Sequence, residues 1–260
     1  ATLHGEALQH DARAHLDNDY EDYICHELFH QWFGDLVTCE SWGNLTLNES
    51  FATYGEFLWF EHSRGRAEAD YHREENLETY LSEASYKRLP IVRYNYDDKE
   101  DMFDAHSYQK GALVLHMLRC TLGDSVFFRG LKIYLDENRF QSAEIHQLRL
   151  AMEKASGLDL NWFFNQWYLR KGHPKYEFTY TYNEDNQSLS IHSRALSLDE
   201  SAPVIYRVPA EVDIYVKGIP VRKKILIDSL ENTFTFDIAE KPYLILMDPE
   251  RTLLWETEET

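Results

Sequence analysis

At 260 residues, 43% of them hydrophobic, the chain can bury one sizeable core and a smaller one, as a globular enzyme does. Its 45 acidic against 26 basic side chains leave a net charge of −19, which repels phosphate backbones and excludes nucleic acid as an expected partner, while mildly favouring cationic ligands such as peptide ammonium groups. No run of about 18 apolar residues marks a membrane span, and Cys25, Cys39 and Cys120 are too few and too scattered for a disulfide framework.

Asp17, Asn18 and Asp19 offer capping side chains ahead of a helix expected from about Tyr20 to Phe33, with Glu21 and Asp22 in the first turn and Gly34 as its stop. Ile24 and Leu28 are its expected apolar stripe. Within it lies His26-Glu27-Leu28-Phe29-His30. Residues at i and i+4 of a helix are about 6 Å apart along the axis and nearly eclipse one another, so both imidazoles can reach one cation while Glu27 points beside it. Asn48 is expected to cap the next helix, with Phe51, Tyr54 and Leu58 at core spacing. Glu49 then sits in its first turn, able to fold back toward His26 and His30.

Two histidines and a downstream Glu are three protein ligands, the number a catalytic zinc takes while keeping a fourth position for water. Histidines that merely pack on a helix would give the same local pattern; the Glu opening a second helix is what favours the metal. Glu56, seven residues after Glu49, falls close to two turns on and so on the same face. There it can accept the N–H of a ligating imidazole, or be an ordinary solvated carboxylate. Cys25, beside His26, points about 100° away and reads as a buried, inert thiol.

Residues 64 to 104 are polar and acidic, with Pro90 and the run Asp97-Asp98-Lys99-Glu100-Asp101, and read as a helix followed by a surface loop. Helical spacing returns from Asp104 to Leu122 through Ala112, Leu115, Met117 and Leu118, with Tyr108 near its start. Among 17 tyrosines, spacing alone gives Tyr108 a packing role. Further helices are expected at 125–138, 143–156 and 160–170, the last turning Phe163, Phe164 and Trp167 to the core.

After Pro174 the period becomes two. Tyr176, Phe178, Tyr180 and Tyr182 alternate with polar residues, as do Val212, Ile214 and Val216, then Phe234, Phe236 and Ile238. The expectation is a small antiparallel β-sandwich. His173 and His192 fall outside the metal pattern. Sequons start at Asn44, Asn48 and Asn186, and glycans at the first two would crowd Glu49. Glycine-rich phosphate loops and internal repeats are absent from the sequence.

The stretches His26-Glu27-Leu28-Phe29-His30-Gln31-Trp32-Phe33-Gly34, Leu47-Asn48-Glu49-Ser50-Phe51-Ala52 and Tyr108-Gln109-Lys110-Gly111-Ala112 together resemble the M1 family of zinc aminopeptidases, in the gluzincin branch of metallopeptidases. Asn161-Trp162-Phe163-Phe164-Asn165-Gln166-Trp167 with Gly172-His173-Pro174 looks like the end of that family's catalytic domain. The resemblance covers residues 20 to 174 strongly and weakens beyond. It implies a mainly α catalytic domain of thermolysin-like type, its C-terminal part, over residues 1–173, and the β-sandwich domain over 174–260.

It also implies chemistry. One zinc ion per chain would be held by His26, His30 and Glu49, with Glu56 supporting a ligand; Glu27 would be the general base, and Tyr108 would donate to the oxyanion formed from the scissile carbonyl. The substrates would be peptides shortened from the N-terminus. The family's exopeptidase motif, Gly-x-Met-Glu-Asn, is missing ahead of the zinc helix, so a fragment lacking the N-terminal β domain and the amine-gripping Glu is expected. A peptide-binding module without turnover, or an endopeptidase of the same clan, are the alternatives. The compartment stays open, because no leader is legible at Ala1-Thr2-Leu3-His4.

Overall fold

The computed structural model describes residues 2–17, 19–198 and 204–259. The chain divides into two compact units, Ala1–Lys171 and Gly172–Thr260. The first is helical: α1 (Glu21–Phe29), α2 (Thr46–Ser63), α3 (Arg66–Ala84), α4 (Gly111–Leu122), α5 (Asp124–Asn138), α6 (Ile145–Ser156) and α7 (Asn161–Trp167). A two-stranded parallel ribbon joins β1 (Val37–Cys39) to β2 (Gln141–Ala143). Helix α2 is the hub, packing against α1, α3 and α4. Its apolar residues therefore run almost all round, and Phe51, Ala52, Tyr54, Phe57 and Phe60 are all buried. Phe33, Phe51 and Tyr134 stack as a ladder, with 4.0 Å between the first two rings.

Several local expectations shift. Helix α1 stops at Phe29, because the chain turns at His30 and leaves through Gly34 at φ 148. Its start is capped by Asp19, whose Oδ1 accepts the Glu21 N–H (3.1 Å), after Tyr20 in the left-handed region; Asn18 lies outside the described residues. Ile24 and Leu28 are not the buried stripe: they are 46% and 47% exposed, while Cys25 is buried against α2 with its thiol donating to the Gly55 carbonyl (3.2 Å). The inward face is thus rotated by one residue, about 100°, which turns His26 and His30 toward α2 as well. Asn48 does not cap α2, which begins at Thr46; its side-chain oxygen instead accepts the Cys39 N–H (3.2 Å) and anchors β1. Leu58 is half-buried and Phe57 takes the core position. Ala143 belongs to β2 rather than to the following helix, which begins at Ile145, and α7 ends at Trp167.

The second unit has two sheets. One runs in the order β7 (Glu231–Asp237), β4 (Ser188–Leu196), β3 (Lys175–Asn183), β9 (Glu256–Glu259); the other runs β6 (Ile219–Ile227), β5 (Val208–Val216), β8 (Leu244–Met247). All pairings are antiparallel except β3 with β9, which is parallel. Each sheet buries one face: Tyr176, Phe178, Leu189 and Ile191 on the first, Val208, Val212, Ile214 and Ile227 on the second. His173 is buried and bonded to Glu256 (2.9 Å), and His192 meets Thr233 (3.1 Å), so neither joins a metal set. Among the described residues no helix is long and apolar enough to cross a membrane.

Two buried histidines give the fold a pH signature. Burial, reinforced by Arg73, Arg66 and Arg119, pushes His116 down to about 3; burial likewise holds His106 at about 3 despite Asp104. Both lie below the ordinary 6.5, so between pH 6.5 and 3 the unfolded chain binds protons that the fold rejects. Their stabilisation is complete above pH 6.5 and is lost as the pH falls through that window, by up to about 1.4 kcal/mol per pH unit for each group. Urea titrations at pH 7 and 5 should therefore show a smaller loss of stability in His116→Gln than in the parent. Equal losses in the two proteins would contradict this assignment.

Candidate active site

Helix α1 carries His26, and His30 follows one turn on at its C-terminal cap, with ring centroids 4.9 Å apart at 82°. Glu49 comes from the first turn of α2 and is 8% exposed. The two helices approach closely because position 55 has no side chain: a Cβ there would lie 2.4 Å from the Phe29 ring. The approach brings Glu49 Oε2 to 3.4 Å from His26 Nε2 and to 3.4 Å from His30 Nε2. Ligand atoms on a tetrahedral ion with bonds of about 2.1 Å are about 3.4 Å apart, so these two separations match two edges of such a ligand set, and ligand atoms of all three residues lie within 4.8 Å of one another.

The far side of each imidazole is occupied in the way a ligand needs. His26 Nδ1–H donates to Glu56 Oε1 (2.7 Å) and His30 Nδ1–H donates to the Phe33 carbonyl (3.1 Å). With Nδ1 carrying a proton toward its partner, the Nε2 atom of each ring faces Glu49. Burial opposes charge on His26, yet Glu49 and Glu56 overcome it and hold the imidazole up at about 9; burial likewise opposes charge on Glu49, and His26 and His30 overcome it and hold the carboxyl down at about 2. A negative carboxylate against two imidazoles competing for protons suits a divalent cation, which would replace those protons.

Glu56 is in turn gripped from behind. Its Oε2 lies 2.8 Å from His72 Nε2 on α3, giving a chain His72, Glu56, His26. Sequence reasoning missed His72, since it sits on a different helix, sixteen residues beyond Glu56, where no periodicity links them.

Tyr108 reaches the same place from a π-helical turn, His106–Lys110, just before α4. Such a turn re-aims side chains and recurs at functional sites. The phenol ring stacks on His26 with centroids 6.0 Å apart and planes 8° apart. Burial, then the charge and hydrogen bond of Glu49 and the charge of Glu27, push its pKa well above the usual phenol value, so it is a neutral O–H donor. Glu27 is half-buried on α1 between the two histidines. A cavity of about 690 Å³ opens beside Tyr108, walled by the C-terminal half of α3 from Glu78 to Glu83, by Tyr86 just beyond it, and by Phe103 and Gln109. The fold thus gathers His26, His30, Glu49, Glu56 and Tyr108, with Glu27 on the same helix as the two histidines.

The chain is similar to known proteins in both sequence and fold. Residues 2–167 match the peptidase family M1 domain. The chain is 32% identical over 221 residues to probable aminopeptidase 1 of Sulfurisphaera tokodaii, covering 83% of this chain and 27% of that protein. It is 30% identical to aminopeptidase N of Haemophilus influenzae (76% of this chain, 24% of that protein) and 30% identical to human glutamyl aminopeptidase (86% and 23%). The chain therefore spans about a quarter of the length of these relatives. In fold it resembles the crystal structure of Legionella pneumophila aminopeptidase A in complex with aspartic acid, with a TM-score of 0.74 at 20% identity, covering 91% of this chain and 26% of that one. A family match across most of the chain, together with relatives at 30% identity or more, places this chain in peptidase family M1.

Proposed function

We propose that the chain carries the zinc site of an aminopeptidase, with one ion held by His26, His30 and Glu49 and with peptides as substrates. The observation that carries this reading is the pair of 3.4 Å separations from one Glu49 oxygen to the Nε2 atoms of His26 and His30, their other ring nitrogens being already bonded. Zinc bound by such a set supplies a Lewis acid and brings the pKa of water toward about 7. The rest is done by the chain's own groups. Glu27 accepts a proton from the attacking water and passes it to the departing amine. Tyr108 donates its O–H to the carbonyl oxygen as negative charge builds there. Glu56, backed by His72, holds the His26 ring in its ligating orientation. The first unit is the catalytic domain and the second the β-sandwich domain, with the division at about residue 173.

Metal analysis of the purified chain tests the site directly: one zinc per chain is expected, and none after saturation with zinc would sink the proposal. Glu56→Gln keeps the shape but weakens the acceptor for His26 Nδ1–H, so zinc affinity should fall by about 10- to 100-fold, read by competition with a chromogenic chelator. The aminopeptidase assignment rests on what the relatives are called. In the natural polypeptide, an aminoacyl chromogenic substrate should be cleaved and its N-acetylated twin spared; cleavage of both would make the enzyme an endopeptidase.

A further inference from the structure

Outside the site, the structure holds a second cluster of acids and a histidine, Glu83, Asp104 and His106, whose donor atoms lie within 4.8 Å of one another. It is already satisfied without a metal. Asp104 Oδ2 receives both Lys87 Nζ and Arg93 Nη2 at 2.6 Å. His106 Nε2 accepts the Leu89 N–H (3.2 Å), so its Nδ1–H points at Glu83 Oε2 (3.2 Å). Two cations and an N–H hold the lone pairs an ion would need.

What the cluster surrounds is the turn that bears Tyr108. A helix start leaves backbone N–H groups without partners, and the π-helical turn is closed from within by the Lys110 N–H on the Ala105 carbonyl (2.8 Å). Asp104 supplies partners for the N–H groups at the start of that turn. Its side-chain Oδ1 accepts the N–H of His106 (3.1 Å) and of Ser107 (3.0 Å), and its main-chain carbonyl accepts the N–H of Tyr108 itself (3.1 Å). Glu83 Oε2 accepts the Ala105 N–H (2.8 Å) from the α3 side. Arg93, gripping Asp104, is itself fixed by the carbonyls of Pro90 (3.0 Å) and Asp101 (2.9 Å). On the other flank the Ser107 carbonyl accepts the hydroxyl of Ser50 (2.6 Å), the residue after Glu49. A Cβ at Gly111 would lie 1.7 Å from that hydroxyl, so the turn and α2 meet without slack.

We infer that Asp104 is a positioning residue for the reaction: held by Lys87 and Arg93, it sets the turn so that the Tyr108 hydroxyl lies where the carbonyl oxygen develops charge. The inference rests on the proposed role of Tyr108. Displacement of a catalytic group by about 1 Å can cost about 10²-fold in rate, and a loosened cap would permit such a displacement.

The test is a double-mutant cycle in the natural polypeptide, with zinc content and circular dichroism confirming intact protein. Asp104→Asn should lower kcat by about 10-fold or more with KM nearly unchanged. Added to Tyr108→Phe, it should lower kcat by less than about 2-fold, because there is no hydroxyl left to misplace. An equal loss in both backgrounds, or none in either, overturns the inference. If Tyr108→Phe alone keeps the parental kcat, the role of Tyr108 falls, and this inference with it. Should Asp104→Asn fail to fold, Lys87→Gln, which removes one grip from a half-buried position, takes its place with the same expected coupling to Tyr108→Phe; losses that simply multiply would again refute it.

Discussion

Glu27→Gln is expected to keep its zinc and lose peptide hydrolysis by about 10³-fold or more. The substitution is nearly isosteric, and Glu27 is absent from the contacts that bind His26, His30 and Glu49 to one another, to Glu56 and to Phe33. What changes is basicity: an amide cannot take a proton from water or return it to an amine, and a positioned general base contributes about 10²- to 10⁴-fold. Losing the charge also relieves Tyr108, whose phenol feels both Glu27 and Glu49. That relief alters the donor only slightly, because burial is the larger cause of its raised pKa. Zinc content and kcat/KM on an aminoacyl chromogenic substrate, measured together in the natural polypeptide, separate the possibilities. Turnover within about tenfold of the parent, at equal zinc, would remove Glu27 from the chemistry.

The convergence of His26, His30 and Glu49 was legible because it depends on short-range geometry. Residues four apart on a helix share a face whatever surrounds them, and a Glu in the first turn of the next helix is confined to a small volume near the chain reversal. The β domain was legible for a similar reason: one-sided burial imposes a period of two. The order and direction of its strands were not, and β9 pairs parallel with β3 through contacts separated by some eighty residues.

What escaped was set by partners distant in sequence. Ile24 and Leu28 looked like a core stripe, but the contact that decides the inward face of α1 is Phe29 against the bare backbone of Gly55. His72 has meaning only once α3 lies beside α2. The turn at His106–Lys110 is invisible to periodicity, since it is held in place by Asp104, Glu83 and Ser50 rather than by its own side chains. Functional geometry here is a property of these tertiary clamps, and the sequence shows the clamped residues more readily than the clamps.

Tyr108→Phe removes one oxygen from the centre of that arrangement and should lower kcat by about 10²-fold or more, with zinc retained and KM changed little. The ring itself packs: it stacks at 8° on His26, and phenylalanine preserves that contact. In the absence of substrate the hydroxyl feels the Glu49 carboxylate, which favours its keeping the proton. A substrate carbonyl in its ground state is a weaker acceptor than a carboxylate and gains little from competing for that proton. The oxygen of the tetrahedral transition state is anionic and gains much more, so the bond is realised mainly where it lowers the barrier. That is why the loss should fall on kcat rather than KM. A rise in KM at constant kcat would make the hydroxyl a ground-state binding group, and a parental rate would return Tyr108 to packing. The same logic fixes the expected response of Asp104→Asn: a donor worth about 10²-fold only when correctly placed makes the residues that place it nearly as consequential as the donor.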